Sequence, residues 1–67
     1  MSKRRKNGYE EMGLQGAARA AITHLEAGSP KKALPAVLEA GMMAGRLYNK
    51  GMSRRSEDLL NKMVSLF

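Results

Sequence analysis

Apolar residues recur at three- and four-residue intervals over the first part of the chain. The recurring positions are Leu14, Ala17, Ala18, Ala21, Ile22 and Leu25. This spacing places them on one face of an α-helix, and it leaves Arg19, Thr23 and Glu26 on the opposite face. The pattern predicts a first helix over residues 9–27.

Turn signals separate this helix from a second one. Gly28 suits the left-handed position that follows a helix, Ser29 is a favourable N-cap, and Pro30 fits the first helical position. We therefore predict a second helix over residues 30–50, which ends where Gly51 supplies the next terminator.

Pro35 is an awkward residue inside this second helix. Its ring lacks an N–H donor and crowds the carbonyl group of Lys31. We expect either a kinked first turn or a helix that begins nearer to Lys32.

A third helix is predicted over residues 53–66, because Ser53 is a natural N-cap after the turn at Gly51. Its apolar face consists of Leu59, Leu60, Met63 and Phe67. The predicted fold class is all-α, a small three-helix bundle.

The second helix is apolar over most of its circumference. One stripe consists of Leu34, Val37, Gly41, Ala44 and Tyr48, and a neighbouring stripe consists of Ala33, Ala36, Ala40, Met43 and Leu47. A helix with this pattern is buried on more than one side. Glycines cost a helix interior roughly 0.5–1 kcal/mol each relative to alanine, so we interpret Gly41 and Gly45 as a smooth strip where another helix can approach. The predicted protein interface is Ala40, Gly41, Met43, Ala44, Gly45, Leu47 and Tyr48.

The composition explains why such an interface is expected. The chain has 67 residues, no Cys, no Trp, one Phe and two Tyr, so its core is thin and has no disulfide to support it. Homodimerisation or docking on a larger partner would complete the bundle. Residues 1–8 are polar and charged and predict a flexible basic N-terminal arm, and residues 9–67 predict a single helical domain.

The charge is strongly basic, with twelve Lys and Arg against six Asp and Glu and a net charge of +6. Such a balance favours anionic partners, including nucleic acid. Two pairs of cations lie in the first turns of predicted helices, where the helix dipole disfavours them and an anion would be attracted. The candidate anion or nucleic-acid contacts are Lys3, Arg4, Arg5, Lys6, Lys31, Lys32, Arg54 and Arg55; flexible side chains in water would give the same pattern.

Several function classes are disfavoured by the residues that the chain lacks. His24 is the only histidine and there is no cysteine, so a Cys/His nucleophile pair and a histidine-based metal cluster are excluded within one chain. No glycine pattern matches a phosphate loop. We expect no enzymatic activity, cofactor, metal or small-molecule substrate. No apolar run approaches the ~18 residues of a membrane span, so we expect a cytoplasmic protein without a membrane partner.

Two segments resemble known helical motifs. The segment "LEAGSPKKALPAVLEAG", within residues 21–44, resembles the turn and second helix of a tetratricopeptide-like hairpin, with Gly28, Ala33 and Ala40 at the small positions. It departs from that family at the aromatic positions and lacks a second repeat. The same hairpin pattern is similar to small bacterial negative regulators of AraC-type activators, whose tryptophan and aromatic–Cys ending are missing. Residues 47–63 resemble part of a helix-turn-helix.

Two functions remain open at this point. The first, which we prefer, is a small non-enzymatic regulator or adaptor, similar to bacterial or phage regulators, that binds a protein partner or itself through a helical surface. The resemblance to a tetratricopeptide-like hairpin also implies that the partner is a protein. The alternative is a DNA- or RNA-binding protein that contacts backbone phosphates through the arm and the helix N-termini.

Overall fold

The computed structural model describes the backbone of residues 2–67 and the side chains of residues 10–67. It contains three helices in chain order, α1 (Ser2–Glu26), α2 (Pro30–Tyr48) and α3 (Arg54–Ser65). The all-α class and the number of helices are confirmed. Within the described backbone there is no strand.

Helix α1 begins earlier than the sequence predicted. The expected start was Tyr9, after a flexible arm of residues 1–8, whereas the backbone is helical from Ser2. Lysine, arginine and glutamate are good helix formers, and a single glycine such as Gly8 lowers helix stability by only about 1 kcal/mol. Whether this segment moves as a flexible arm stays a prediction.

Helix α1 is the centre of the fold, because α2 and α3 each pack against it and scarcely touch each other. Helix α2 runs antiparallel to α1, so Lys50 beyond its C-terminal end meets Glu10 near the beginning of α1. Helix α3 runs parallel to α1. At one end the Ser53 N–H donates to Glu11 Oε1, and at the other end Lys62 Nζ lies 3.7 Å from Glu26 Oε2. The bundle is elongated, with extents of 41 × 16 × 15 Å.

The core is made of small side chains, as the composition suggested. The buried apolar residues are Leu14, Ala17, Ala18, Ala21 and Ile22 of α1, Ala33, Ala40 and Leu47 of α2, and Met63 of α3. The predicted apolar face of α1 is confirmed, and its sixth member, Leu25, packs half-buried against the same cluster. On α3, Phe67 is 67% exposed because the helix ends at Ser65, so its predicted place on the apolar face is wrong.

The turns follow the residues that predicted them. Gly28 and Gly51 have φ angles of 79° and 88°, in the left-handed region that glycine adopts at little cost. Ser53 caps α3 through its hydroxyl, which accepts the N–H of Ser56. Ser29 precedes α2 but makes no side-chain cap; its carbonyl accepts the N–H groups of Lys32 and Ala33 instead.

Pro35 lies inside α2 without displacing the beginning of the helix, which is Pro30 and not Lys32. A proline at this position removes one backbone hydrogen bond, to the carbonyl of Lys31. Ala36 and Ala40 pack in or against the core cluster and hold this part of α2 against α1, and Ala33 nearby is also fully buried.

One glycine serves a close approach between helices, and it lies on α1. A Cβ atom added to Gly13 would lie 2.6 Å from Met43 Cε and 3.2 Å from Met43 Sδ. The end of the Met43 side chain therefore covers the Gly13 backbone, where α1 and α2 cross. Gly41 and Gly45 have no such role within the part of the chain whose side chains are described, since an added Cβ atom at either position meets nothing there within 4 Å.

Candidate protein-binding surface

The seven residues predicted as a protein interface divide between the two sides of α2. Ala40 and Leu47 are 0% and 1% exposed and pack in the core, and Met43 is half-buried over Gly13. These three positions are occupied by contacts within the chain. Of the other four, Gly41, Gly45 and Tyr48 are exposed on the remaining surface of α2, and Ala44 is half-buried against the core cluster. Whether these residues bind a protein stays a prediction.

The side of α2 that points away from α1 carries large apolar side chains. Leu34 is 50% exposed, Leu38 and Met42 are each 67% exposed, and Tyr48 is 80% exposed. Together with the exposed Gly41 and Gly45 they form one stripe along the helix, which we call the α2 outer face. Leu34, Leu38 and Met42 were absent from the predicted interface. Their four-residue spacing was a usable signal, because it continues one face of the helix.

A groove separates α2 from α3. It has a volume of about 420 Å³ and is open to solvent along its length. Its lining residues are Ala44, Gly45 and Tyr48 of α2, Met52 of the turn, and Glu57, Leu60 and Asn61 of α3. We call it the α2–α3 groove. The groove places Ala44, Gly45 and Tyr48 of the predicted interface beside α3. The sequence analysis did not predict that α3 lies next to these residues.

The groove exists because α3 is held against α1 at its N-terminal end. The Glu11 carboxylate accepts a 2.6 Å hydrogen bond from the Ser56 hydroxyl and a 3.2 Å hydrogen bond from the Ser53 N–H. Gln15 donates to the same Ser56 oxygen at 3.0 Å, and Ser56 is fully buried. We call these four residues the polar anchor. The sequence showed Ser53 as a cap but offered no signal for its contact with Glu11, 42 residues away.

The hydrogen bonds of the polar anchor also affect the charge of Glu11. Donation from Ser53 and Ser56 lowers the pKa of the Glu11 carboxyl group, and partial burial opposes this effect. The ionised form is thus the one that the folded chain favours. Stability from this contact is complete above the ordinary pKa of 4.5 and declines as the pH falls through the lowered value.

The predicted anion contacts lie in two separate places. Lys31 and Lys32 are exposed at the beginning of α2, near the C-terminal end of α1. Arg54 and Arg55 are exposed at the beginning of α3, near the other end of α1. The side chains of the last four (Lys3, Arg4, Arg5 and Lys6) lie outside the described residues. The helical directions therefore do not bring the two described cation pairs together.

In the part of the chain whose side chains are described, no group of three or more His, Cys, Asp or Glu residues is arranged to hold a metal ion. None of the three helices, over the residues described, is both long and apolar enough to cross a bilayer. Comparison of the chain with protein-family models, curated proteins and solved structures gives no match.

Proposed function

We propose that this chain is a small non-enzymatic adaptor or regulator that binds a protein partner in the α2–α3 groove. One observation carries the proposal: α3 is anchored to α1 but leaves an apolar channel beside α2. Leu60 and Ala44 line it from opposite helices, and the side chain of Tyr48 stands at its edge.

The shape and chemistry of the groove indicate the kind of partner. Two helices that both pack on a third, with a gap between them, leave a position that a further helix can fill. An amphipathic helix binds such a groove through apolar residues spaced three and four apart. Glu57 and Asn61 at the rim supply polar contacts that orient the bound segment.

Substitution of Asn61 by glutamate tests the groove directly. Asn61 is exposed at the rim of the channel, so Asn61→Glu replaces its polar contact by a charge that a docked helix would partly desolvate beside Glu57, while α3 itself is little affected. In affinity capture from a lysate of the source cells, with nuclease treatment, we expect the variant to recover at least about tenfold less of the protein that the wild type retains.

Ala20→Glu is the matched control, because it adds the same charge to an exposed position of α1 that does not line the groove. It should capture the partner as the wild type does. Equal recovery by all three proteins would place the binding surface elsewhere, and loss of the captured protein after nuclease treatment would mean that nucleic acid had bridged the two.

A second candidate function, binding to the phosphate backbone of nucleic acid, is favoured by the distribution of charge. Residues 3–6 hold four of the twelve basic residues and no acid, and α3 begins with Arg54 and Arg55 at the same end of α1. A cationic end of this kind neutralises phosphates without reading bases.

The salt dependence of binding tests this second candidate. If all six cations contact phosphate, affinity for random-sequence duplex DNA should fall by about 10³ between 50 and 200 mM salt. Fluorescence anisotropy with labelled DNA measures this slope. Replacing residues 3–6 by alanine should flatten it, whereas Lys31→Ala with Lys32→Ala should leave it unchanged. Weak affinity that barely responds to salt would reject nucleic-acid binding.

A further inference from the structure

The α2 outer face has features that the fold of a single chain does not use. Gly41 and Gly45 both lie inside α2, where glycine lowers helix stability, and among residues 10–67 no neighbouring atom lies within 4 Å of a Cβ atom added at either position. Leu34, Leu38 and Met42 stand beside them, each at least half exposed. The glycines and the apolar side chains share one face, and both are explained by a helix that packs against it.

We propose that the α2 outer face binds the same face of a second copy of this chain, with the two α2 helices antiparallel and related by a twofold axis near Gly41. This inference goes beyond the proposed function, because it concerns a different occupant and a face centred on Gly41, outside the groove. Gly45 and Tyr48 lie where the two surfaces meet.

The spacing of the residues is what indicates a second copy. Leu34 precedes Gly41 by seven residues and Tyr48 follows it by seven, so an antiparallel copy places Leu34 against Tyr48. Leu38 and Gly45 are related about nearly the same centre, so the large side chain of Leu38 faces the glycine of the other helix. The stripe is thus complementary to itself, as a twofold interface requires.

The charges beside the stripe are complementary in the same arrangement. Glu39 and Arg46 are exposed on one flank of α2, and neither belongs to an ion pair formed among residues 10–67. In an antiparallel twofold pair each flank faces its own copy. With the axis near Gly41, Glu39 of one chain lies about three residues, roughly 4.5 Å along the helix, from the level of Arg46 of the other, within reach of the long arginine side chain. Two symmetric ion pairs would then favour the antiparallel direction over the parallel one.

Sedimentation velocity over about 1 to 300 µM protein measures the association, and we expect a dimer to form within this range. Leu38→Glu should weaken the dimer by at least about 100-fold, because it buries an unpaired carboxylate from each chain. Ala20→Glu, the same charge on exposed α1, should dimerise as the wild type does.

The glycines allow a second, opposite-signed measurement. Gly41→Ala with Gly45→Ala should raise the melting temperature of the dilute monomer by about 4–8 °C, since alanine favours the helix and its Cβ meets open space. The same double variant should weaken the dimer at least about tenfold, because the added methyl groups separate the two α2 helices. A variant that is both more stable and equally dimeric would overturn the proposal.

Cysteine cross-linking tests the register, since the natural chain has no Cys. Leu34→Cys and Tyr48→Cys should each fail to form a disulfide-linked dimer when oxidised alone. A mixture of the two variants should form a disulfide-linked heterodimer, because in the proposed arrangement Leu34 of one chain lies within disulfide distance of Tyr48 of the other. Cross-linking of Leu34→Cys with itself would mean a parallel pair and would reject the arrangement.

A chain that stays monomeric up to about 300 µM would also overturn the proposal, because any dimer would then have a dissociation constant weaker than about 1 mM. Such a result would leave the proposed function intact if Asn61→Glu still lost its captured partner. Conversely, a dimer with unchanged capture by Asn61→Glu would contradict the groove and not the dimer.

Discussion

Replacing Leu14 by alanine is expected to unfold a large part of the protein at room temperature. Leu14 is completely buried at the centre of α1 and belongs to the core cluster that α2 and α3 both complete. A leucine-to-alanine change in a core costs about 2–5 kcal/mol, whereas a chain of this size has a total stability of roughly 3–10 kcal/mol. Four of the eight buried members of that cluster are alanines, whose side chains cannot move to fill a cavity.

Urea unfolding followed by circular dichroism at 222 nm (a standard measure of helix, read with the linear extrapolation) checks this expectation. Met12→Ala is the matched control, because Met12 lies on the same helix but is 68% exposed; it should change stability by less than about 0.5 kcal/mol. If Leu14→Ala were no more destabilised than Met12→Ala, the core assigned to α1 would be wrong.

Removal of the Glu11 carboxylate is expected to have the second-largest effect, through the attachment of α3. Glu11→Ala leaves the buried Ser56 hydroxyl without its acceptor and removes the bond to the Ser53 N–H. Hydrogen bonds to a charged group contribute about 1.5–3 kcal/mol each when buried, and partial exposure of Glu11 places the expected loss toward the lower end. Because α3 has few other polar ties to α1, fraying of α3 should accompany the loss.

The pH dependence distinguishes this contact from simple packing. The folded-state pKa of Glu11 lies below its ordinary value of 4.5, so the wild type should lose stability as the pH falls through 4.5 and below, and Glu11→Gln should lack that part of the loss. Thermal unfolding between about pH 6 and pH 3 (the window set by the carboxyl pKa values) measures the difference.

Glu10→Ala serves as the control for Glu11. Glu10 makes an exposed ion pair with Lys50 at 3.3 Å, a type of contact that contributes at most about 1 kcal/mol. A Glu11 variant with the same stability and the same pH profile as the Glu10 variant would contradict the polar anchor.

Local features of the chain predicted the helices well. Gly28, Ser53 and Gly51 act through their own backbone preferences and nearest neighbours, so their roles were visible without any tertiary information. The spacing of Leu14, Ala18 and Ala21 likewise defined the buried face of α1, because the period of a helix is the same in any fold. The predicted beginning of α1 was Tyr9 and the observed one is Ser2. The difference arises because Gly8 and the run of cations before it resemble a helix boundary in the sequence.

The candidate surface depended on packing that no local pattern contains. Ala40 and Gly41 are neighbours in an apolar segment, yet one is buried and the other exposed, and only the position of α1 decides which. The same packing turned Met43 inward over Gly13 and left Met42 outside. The sequence predicted a helix that is apolar on two sides, but not which side remained available.

The sequence by itself determined that this protein is three helices joined by two glycine turns, because capping, helix period and glycine conformation are properties of adjacent residues. The tertiary structure alone decided that α1 lies at the centre, that Glu11 anchors α3, and that Gly41 and Gly45 face outward. Those outcomes depend on contacts between residues far apart in the chain, such as Glu11 and Ser56. The two glycines that the sequence predicted as part of a protein interface are exposed on α2, and their binding of a partner stays a prediction.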